Sequence, residues 1–150
     1  MEIGPDSQSY RTVNHVFGVL VALAFVWGLY SFNSPSVKVP DVPHIEVSQV
    51  AAQRAAGNGP LMLDVRGPES YAGEHIDGAM HIPLNDLPAR ARDLPADKTA
   101  QVVVYCGNGS NLGPLGTAKL QAMGYSNVTN LSGGIEGWRA AGQKVAAGKG

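Results

Sequence analysis

The stretch Gln101-Val102-Val103-Val104-Tyr105 is apolar at every position after its first, with no alternation of polar and apolar residues. A short unbroken run of β-branched and aromatic side chains describes a strand covered on both faces, as inside a parallel sheet. A second such run, Leu61-Met62-Leu63-Asp64-Val65, carries a carboxylate near its end. Parallel neighbours need crossover connections, so helices must lie between such strands. The chain supplies them: Ser48 can cap a helix through about Ala56 that Gly57-Asn58-Gly59-Pro60 ends. A helical turn is expected from Pro68 to Ala72 and a short helix from Leu87 to Arg92. Longer helices are expected from about Pro114 to Met123 and from Gly133-Gly134 through Ala140. Short strands fit Ile45 to Val47, Met80 to Pro83 and Val128 to Leu131. The alternation predicts an α/β domain with a central, mostly parallel sheet flanked by helices.

This pattern occupies residues 44–145, and the 150-residue chain has room for only one such domain. Residues 1–12 are polar. From Val16 to Phe32 no charged residue occurs, and with residues 13–15 the segment reaches about 20 residues, long enough to cross a bilayer. Trp27, Tyr30 and Phe32 gather near one end, where amphipathic rings favour the headgroup zone. Residues 13–33 are therefore expected to form one transmembrane helix that binds the lipid bilayer. A cleaved signal peptide fits less well, because Glu2 and Asp6 precede the apolar run and no A-x-A pattern follows it. A soluble core helix fits less well too, since the segment is apolar on every side. Arg11 before the span and Lys38 after it leave the positive-inside comparison nearly level. The soluble domain leans only slightly to the non-cytoplasmic (periplasmic) side. Residues 34–43 contain three prolines and read as an extended linker, and residues 146–150 as a flexible tail.

Charge excludes one class of function. Eleven basic and twelve acidic residues give a net charge of -1, without a basic block or zinc-type Cys/His spacing. Nothing there favours nucleic acid. A single cysteine excludes an internal disulfide and a Cys-x-x-Cys pair.

Cys106 stands at the end of the strongest strand and opens the loop Gly107-Asn108-Gly109-Ser110-Asn111-Leu112-Gly113. Ligands of open α/β sheets sit at such strand ends. Glycines at 107, 109 and 113 would let the backbone curl into an anion-binding nest, and the following helix aims its N-terminal dipole at the same point. That setting favours the thiolate, the nucleophilic form. A buried small cysteine after a strand is the plainer alternative, and the loop alone does not decide between them.

Several motifs resemble the rhodanese family in the order and spacing of that family. Asp64-Val-Arg66, Glu69-Ser-Tyr71, Gly73-Glu-His75-Ile-Asp-Gly78-Ala79 and Ile82-Pro83 are similar to its first signature. Tyr105-Cys106 with its glycine-rich loop resembles the active site. Gly124-Tyr125, Asn127-Val128, Leu131 and Gly133-Gly134-Ile-Glu-Gly-Trp138 resemble the closing signature. The resemblance implies a sulfurtransferase in which Cys106 takes sulfane sulfur from a donor, holds it as a persulfide and passes it to a thiol acceptor. It implies neither cofactor nor metal. Asp64 and Arg66 then support the loop from beneath, His75 anchors its turn and Trp138 packs the core.

Two departures stand out. The family loop has the form Cys-x-x-Gly-x-Arg; Gly109 matches the glycine, but Asn111 stands at the arginine. The spacing from Cys106 to Gly124 also exceeds the common pattern by about one residue. Weak turnover with thiosulfate follows, and phosphatase chemistry, which needs a loop arginine, is disfavoured. The leading expectation is a membrane-anchored sulfurtransferase or sulfur carrier. A catalytically weak subunit or docking module of a membrane protein complex is the alternative, and a redox sensor using the Cys106 thiolate a third.

Overall fold

The computed structural model describes residues 38–148. The expected transmembrane segment 13–33, residues 1–12, the first four linker residues (34–37) and residues 149–150 lie outside the described residues. No described helix is long and apolar enough to cross a membrane.

The apolar run at 102–105 is the sheet's central strand. Strands β1 (His44–Ile45), β2 (Leu61–Asp64), β4 (Met80–His81), β5 (Val102–Tyr105) and β6 (Val128–Leu131) form one sheet in the order β1-β6-β5-β2-β4, parallel throughout. Helices α1 (Val47–Ala55), α2 (Pro68–Gly73), α3 (Leu112–Ala122) and α4 (Gly134–Ala140) fill the connections. A small antiparallel pair, β3 (His75–Ile76) with β7 (Val145–Ala146), stands apart.

The pleat of β5 divides the core in two. Val102, Val104 and Cys106 face Leu63, Leu120, Tyr125 and Val128 on one side. Val103 and Tyr105 face Val50, Met62, Ile135 and Trp138 on the other. All four β5 residues are fully buried, which explains why the sequence shows no alternation there. Helix α3 lies close over this sheet. A Cβ at Gly116 would stand 3.0 Å from Val104 Cγ1 and 3.1 Å from Val65 Cγ1, so glycine sets the helix–sheet distance. Thr117, also buried, turns its hydroxyl back to Gly113 O at 3.0 Å.

The sequence expectations need four adjustments. Ser48 lies inside α1; the helix starts after Glu46, whose N–H donates to Gln49 Oε1 at 3.1 Å. The segment expected as a helix from Leu87 to Arg92 is a series of turns ending in a 3-10 turn at Ala91–Asp93. Pro88 offers no N–H to a helical ladder, and Arg90 instead bonds Asp93 Oδ2 and His81 O at 2.8 and 3.0 Å. Helix α3 begins at Leu112, two residues before Pro114, which occupies its first turn. At both domain boundaries the ordered body extends further than expected: Val42 is buried, Pro43 O accepts from Asn130 N at 2.9 Å, Ala146 pairs in β7 and Gly148 N bonds Ala72 O at 2.7 Å.

Leu120 is fully buried between α3 and the sheet. Leu120→Ala should therefore lower unfolding free energy by about 2–5 kcal/mol in urea titrations. A loss below about 1 kcal/mol would mean that α3 does not close this core.

Candidate active site

Backbone geometry, rather than any cluster of charges, builds the site. Cys106 follows β5 and is only 2% exposed. The carbonyls of Cys106 and Gly107 accept the N–H groups of Ile135 and Glu136 in the first turn of α4, each at 3.0 Å. This contact demands glycine at 134, which has φ +54; a Cβ there would collide with Cys106 O. Gly109 has φ +76, and a Cβ on it would lie 2.5 Å from Leu131 O and 2.9 Å from Gly133 N. The loop is thus pressed against the end of β6 and the Gly133-Gly134 turn.

The expected nest is only partly realised. Gly109 alone of the three loop glycines has a positive φ. Ser110 N–H turns to Asn108 Oδ1 at 3.1 Å, and Ser110 Oγ donates to the same oxygen at 2.7 Å. Asn108, Ser110, Asn111 and Leu112 are exposed, Gly107 is half-buried and Gly109 is buried. Gly113 serves close approach: a Cβ there would collide with Asn130 Oδ1 and lie 3.4 Å from Cys106 Sγ.

Asp64 and Arg66 lock together beside β5. Asp64, fully buried, is the register partner of Tyr105. Arg66 Nη2 reaches Asp64 Oδ2 at 2.6 Å, Nε reaches Oδ1 at 3.0 Å, and the Arg66 backbone N–H adds 2.9 Å to Oδ1. Nη2 also donates to Glu74 O at 2.6 Å. Burial disfavours the charged guanidinium, but bonding to Asp64 and its charge outweigh that and raise the Arg66 pKa. Tyr105 hydroxyl accepts from Ile76 N at 3.1 Å, and burial, followed by the Asp64 charge, pushes its pKa far up. Arg66 is thereby committed to Asp64 and Glu74. Lys119, the first cation after Cys106, donates to Leu84 O at 3.2 Å. The charged group beside the loop is acidic: a Gly107 Cβ would lie 3.5 Å from Glu136 Oε1. His75 Nδ1 bonds Tyr71 O at 2.8 Å and its ring stacks on Tyr71, which ties down its turn. Trp138 is buried and donates to Lys144 O at 3.0 Å.

Sequence reasoning missed Asn130 and His44. Asn130, fully buried on β6, donates from Nδ2 to Gly109 O at 2.7 Å and bonds His44 Nδ1 at 3.1 Å. A polar residue inside the apolar run Val128–Leu131 was the available signal, because a buried amide needs partners.

The sequence profile of the rhodanese-like domain family matches residues 47–141. The chain belongs to that family. It is 36% identical over 96 residues to the thiosulfate sulfurtransferase GlpE of Pseudomonas entomophila, covering 64% of this chain and 84% of that protein. A sulfurtransferase of Allochromatium vinosum is 31% identical over 109 residues, covering 73% of this chain and 99% of the relative. Among solved structures, the rhodanese-like domain of the Anabaena Alr3790 protein superposes with a TM-score of 0.61 at 29% identity, covering 70% of this chain and 79% of that one. The fold is accordingly rhodanese-like, and Cys106 stands at the end of its central strand. Among the described residues no group of His, Cys, Asp and Glu side chains is arranged to hold a metal ion.

Tyr105 gives this domain an alkaline limit. An exposed tyrosine ionises near pH 10, whereas the folded domain keeps Tyr105 protonated well above that. Its stabilisation is complete below about pH 10 and is lost as pH rises further, because only the unfolded chain releases the proton. Tyrosinate absorbance and circular dichroism, followed together, should show Tyr105 ionising only as the domain unfolds. Tyr105→Phe should flatten that part of the alkaline stability curve. Ionisation of Tyr105 near pH 10 in the folded domain would refute the buried arrangement.

Proposed function

We propose that this chain is a membrane-tethered sulfurtransferase that carries sulfane sulfur as a persulfide on Cys106. The observation that carries the reading is the placement of Cys106 Sγ against Gly113 in the first turn of α3, at the end of the central strand. The relatives named as sulfurtransferases support it, since the match spans this whole region.

The chemistry balances without a cofactor. The Cys106 thiolate attacks the outer sulfur of a donor such as thiosulfate. A new S–S bond forms, the donor's own S–S bond breaks, and sulfite leaves with the electron pair. An acceptor thiolate then attacks the terminal sulfur, forms its own persulfide, and releases Cys106 as thiolate. Both steps are displacements at sulfur, so the kinetics are ping-pong. Burial of Cys106 at 2% exposure protects the persulfide from solvent between the steps. Residues 13–33 hold the domain at the bilayer, where donor and acceptor meet it.

Thiosulfate is a poor donor in this reading. Residues 107–118 contain no lysine or arginine, and Glu136 adds a carboxylate beside Gly107. A charge-assisted hydrogen bond contributes about 1.5–3 kcal/mol, so its lack costs about tenfold to a hundredfold. Protein or low-molecular-weight persulfides, which carry less charge, suit the loop better.

Intact mass spectrometry of the chain after treatment with thiosulfate or polysulfide tests the carrier step. Cys106 should gain about 32 Da per sulfur, removable by cyanide or a thiol, and Cys106→Ser should gain nothing. Asn111→Arg, at an exposed position, should raise kcat/KM for thiosulfate about tenfold or more. Absence of any sulfur adduct with both donors would leave the second reading, a rhodanese-fold docking module of a membrane complex, which the buried thiol and cation-free loop also fit.

A further inference from the structure

Glu136 places a carboxylate beside the Cys106 loop, and the backbone fixes where it stands. Its N–H donates to Gly107 O at 3.0 Å, which ties the residue next to Cys106 to the start of α4. Its Oε1 lies 3.5 Å from where a Gly107 Cβ would be, beside the space that glycine leaves open. Glu136 is exposed and pairs with no cation among the described residues. The bases of the surrounding elements are engaged elsewhere: Arg66 with Asp64, Arg139 with Glu74, and Lys119 with Leu84 O. The exposed loop residues Asn108, Ser110, Asn111 and Leu112 carry no charge. Glu136 is thus the unbalanced charge at this loop. Cys106 is 2% exposed, so a slender molecule suits its sulfur better than a bulky one.

We propose that Glu136 is a specificity-determining residue of this site, selecting small thiols and persulfides that carry a protonated amine close to the sulfur. The inference rests on the sulfur-carrier reading for its transfer step; the charge preference itself needs only a Cys106 thiol that small reagents reach. A thiolate or persulfide anion arriving at the loop meets a carboxylate of its own sign. A protonated amine on the same molecule offsets that repulsion and gains an ion contact with Glu136. In unloading, the acceptor thiol gives its proton to solvent, and its thiolate attacks the terminal sulfur of the Cys106 persulfide. A new S–S bond forms, the Cys106 S–S bond breaks, and its electron pair stays on the Cys106 thiolate. Loading from an amine-bearing persulfide is the reverse exchange, with the donor's thiolate leaving. The amine keeps its proton against Glu136 throughout.

The test uses the full chain and three methanethiosulfonates: the cationic aminoethyl, the neutral methyl and the anionic sulfonatoethyl reagent. Each gives its thioalkyl group to Cys106 as a mixed disulfide while methanesulfinate leaves with the electron pair, so no sulfur-carrier activity is needed. Rates followed by intact mass are divided by that of the methyl reagent. Glu136→Gln should lower the cation-to-anion rate ratio about threefold, the effect of one exposed ion contact, and Glu136→Lys should lower it further. A ratio that is the same in the parent chain and in folded Glu136→Gln would overturn the proposal, and so would a Cys106 that reacts with none of the reagents. Should the variants fail to fold, the parent chain decides: salt at about 1 M screens the contact and should lower its ratio similarly, whereas an unmoved ratio would overturn the proposal. The second arm loads the chain with polysulfide and compares discharge to cysteamine and to 3-mercaptopropionate. The preference for cysteamine should again drop about threefold in Glu136→Gln. A chain that takes up no sulfur yet shows the reagent preference retains Glu136 as the selector and loses the carrier reading. A chain that loads sulfur but shows the same preference with and without the Glu136 charge keeps the carrier reading and loses this proposal.

Discussion

Parallel pairing of β5 with β2 on one side and β6 on the other is the constraint on which the remaining structure depends. Leu61 to Asp64 pairs with Val102 to Tyr105 residue for residue, and Val102 to Val104 pairs with Val128 to Asn130. The two registers bring the ends of three strands to one level, so Asp64, Tyr105 and Asn130 flank the start of the cysteine loop. Each then acts on that loop from its own side of the sheet. Tyr105 and Asp64 belong to the lock with Arg66, and Asn130 to the Cys106 face. A one-residue slip of β5 would exchange the two faces and turn Cys106 away from α3.

The lock shows how the protein tolerates a carboxylate at zero exposure. A buried ion pair gains little overall, because desolvating both ions offsets most of their attraction. It is retained here with both carboxylate oxygens bonded: side-chain and backbone donors of Arg66 reach Asp64, and Nη2 donates to Glu74 O as well. Removing one member would leave the others buried and unpaired, which is far costlier than the net worth of the pair. The consequence for the site is that the nearest family arginine is not free to bind an anion. Its work is to hold the β2 end and the Glu74 turn in place.

What could be read in the sequence follows from which forces are local. The β5 and β6 runs and the Gly133-Gly134 start of α4 were legible because burial and positive φ each demand particular residue types in place. Strands β3 and β7 were not, since two-residue pairings have no periodicity and arise only when distant segments meet. The turns at 87–93 copied a helix in composition, but side-chain bonds from Arg90 to His81 O and Asp93 exist only in the folded chain. In the site, Cys106 and its loop were visible as a motif. The part played by Gly113 was not, because it depends on Asn130 reaching across from another strand. A nest was expected from three glycines, yet only Gly109 uses the left-handed region, while Gly107 and Gly113 answer to space.

That difference bears on the chemistry. The first N–H groups of α4 are taken by the Cys106 and Gly107 carbonyls, and Ser110 N–H is taken by Asn108. Pro114 has no N–H, and Leu115 bonds Asn111 O. The first-turn donors of α3 left for an anion are those of Leu112 and Gly113. Two backbone donors and a helix dipole suit one negative charge held close to Sγ, such as a persulfide, better than a dianion arriving from solvent. With Glu136 at the loop's edge and no cation in it, the proposed sulfur-carrier reading gives the loop a sulfur already bonded to Cys106 to hold, rather than a highly charged donor to capture. Under that proposal, the geometry that would weaken capture from thiosulfate would favour storage and onward delivery.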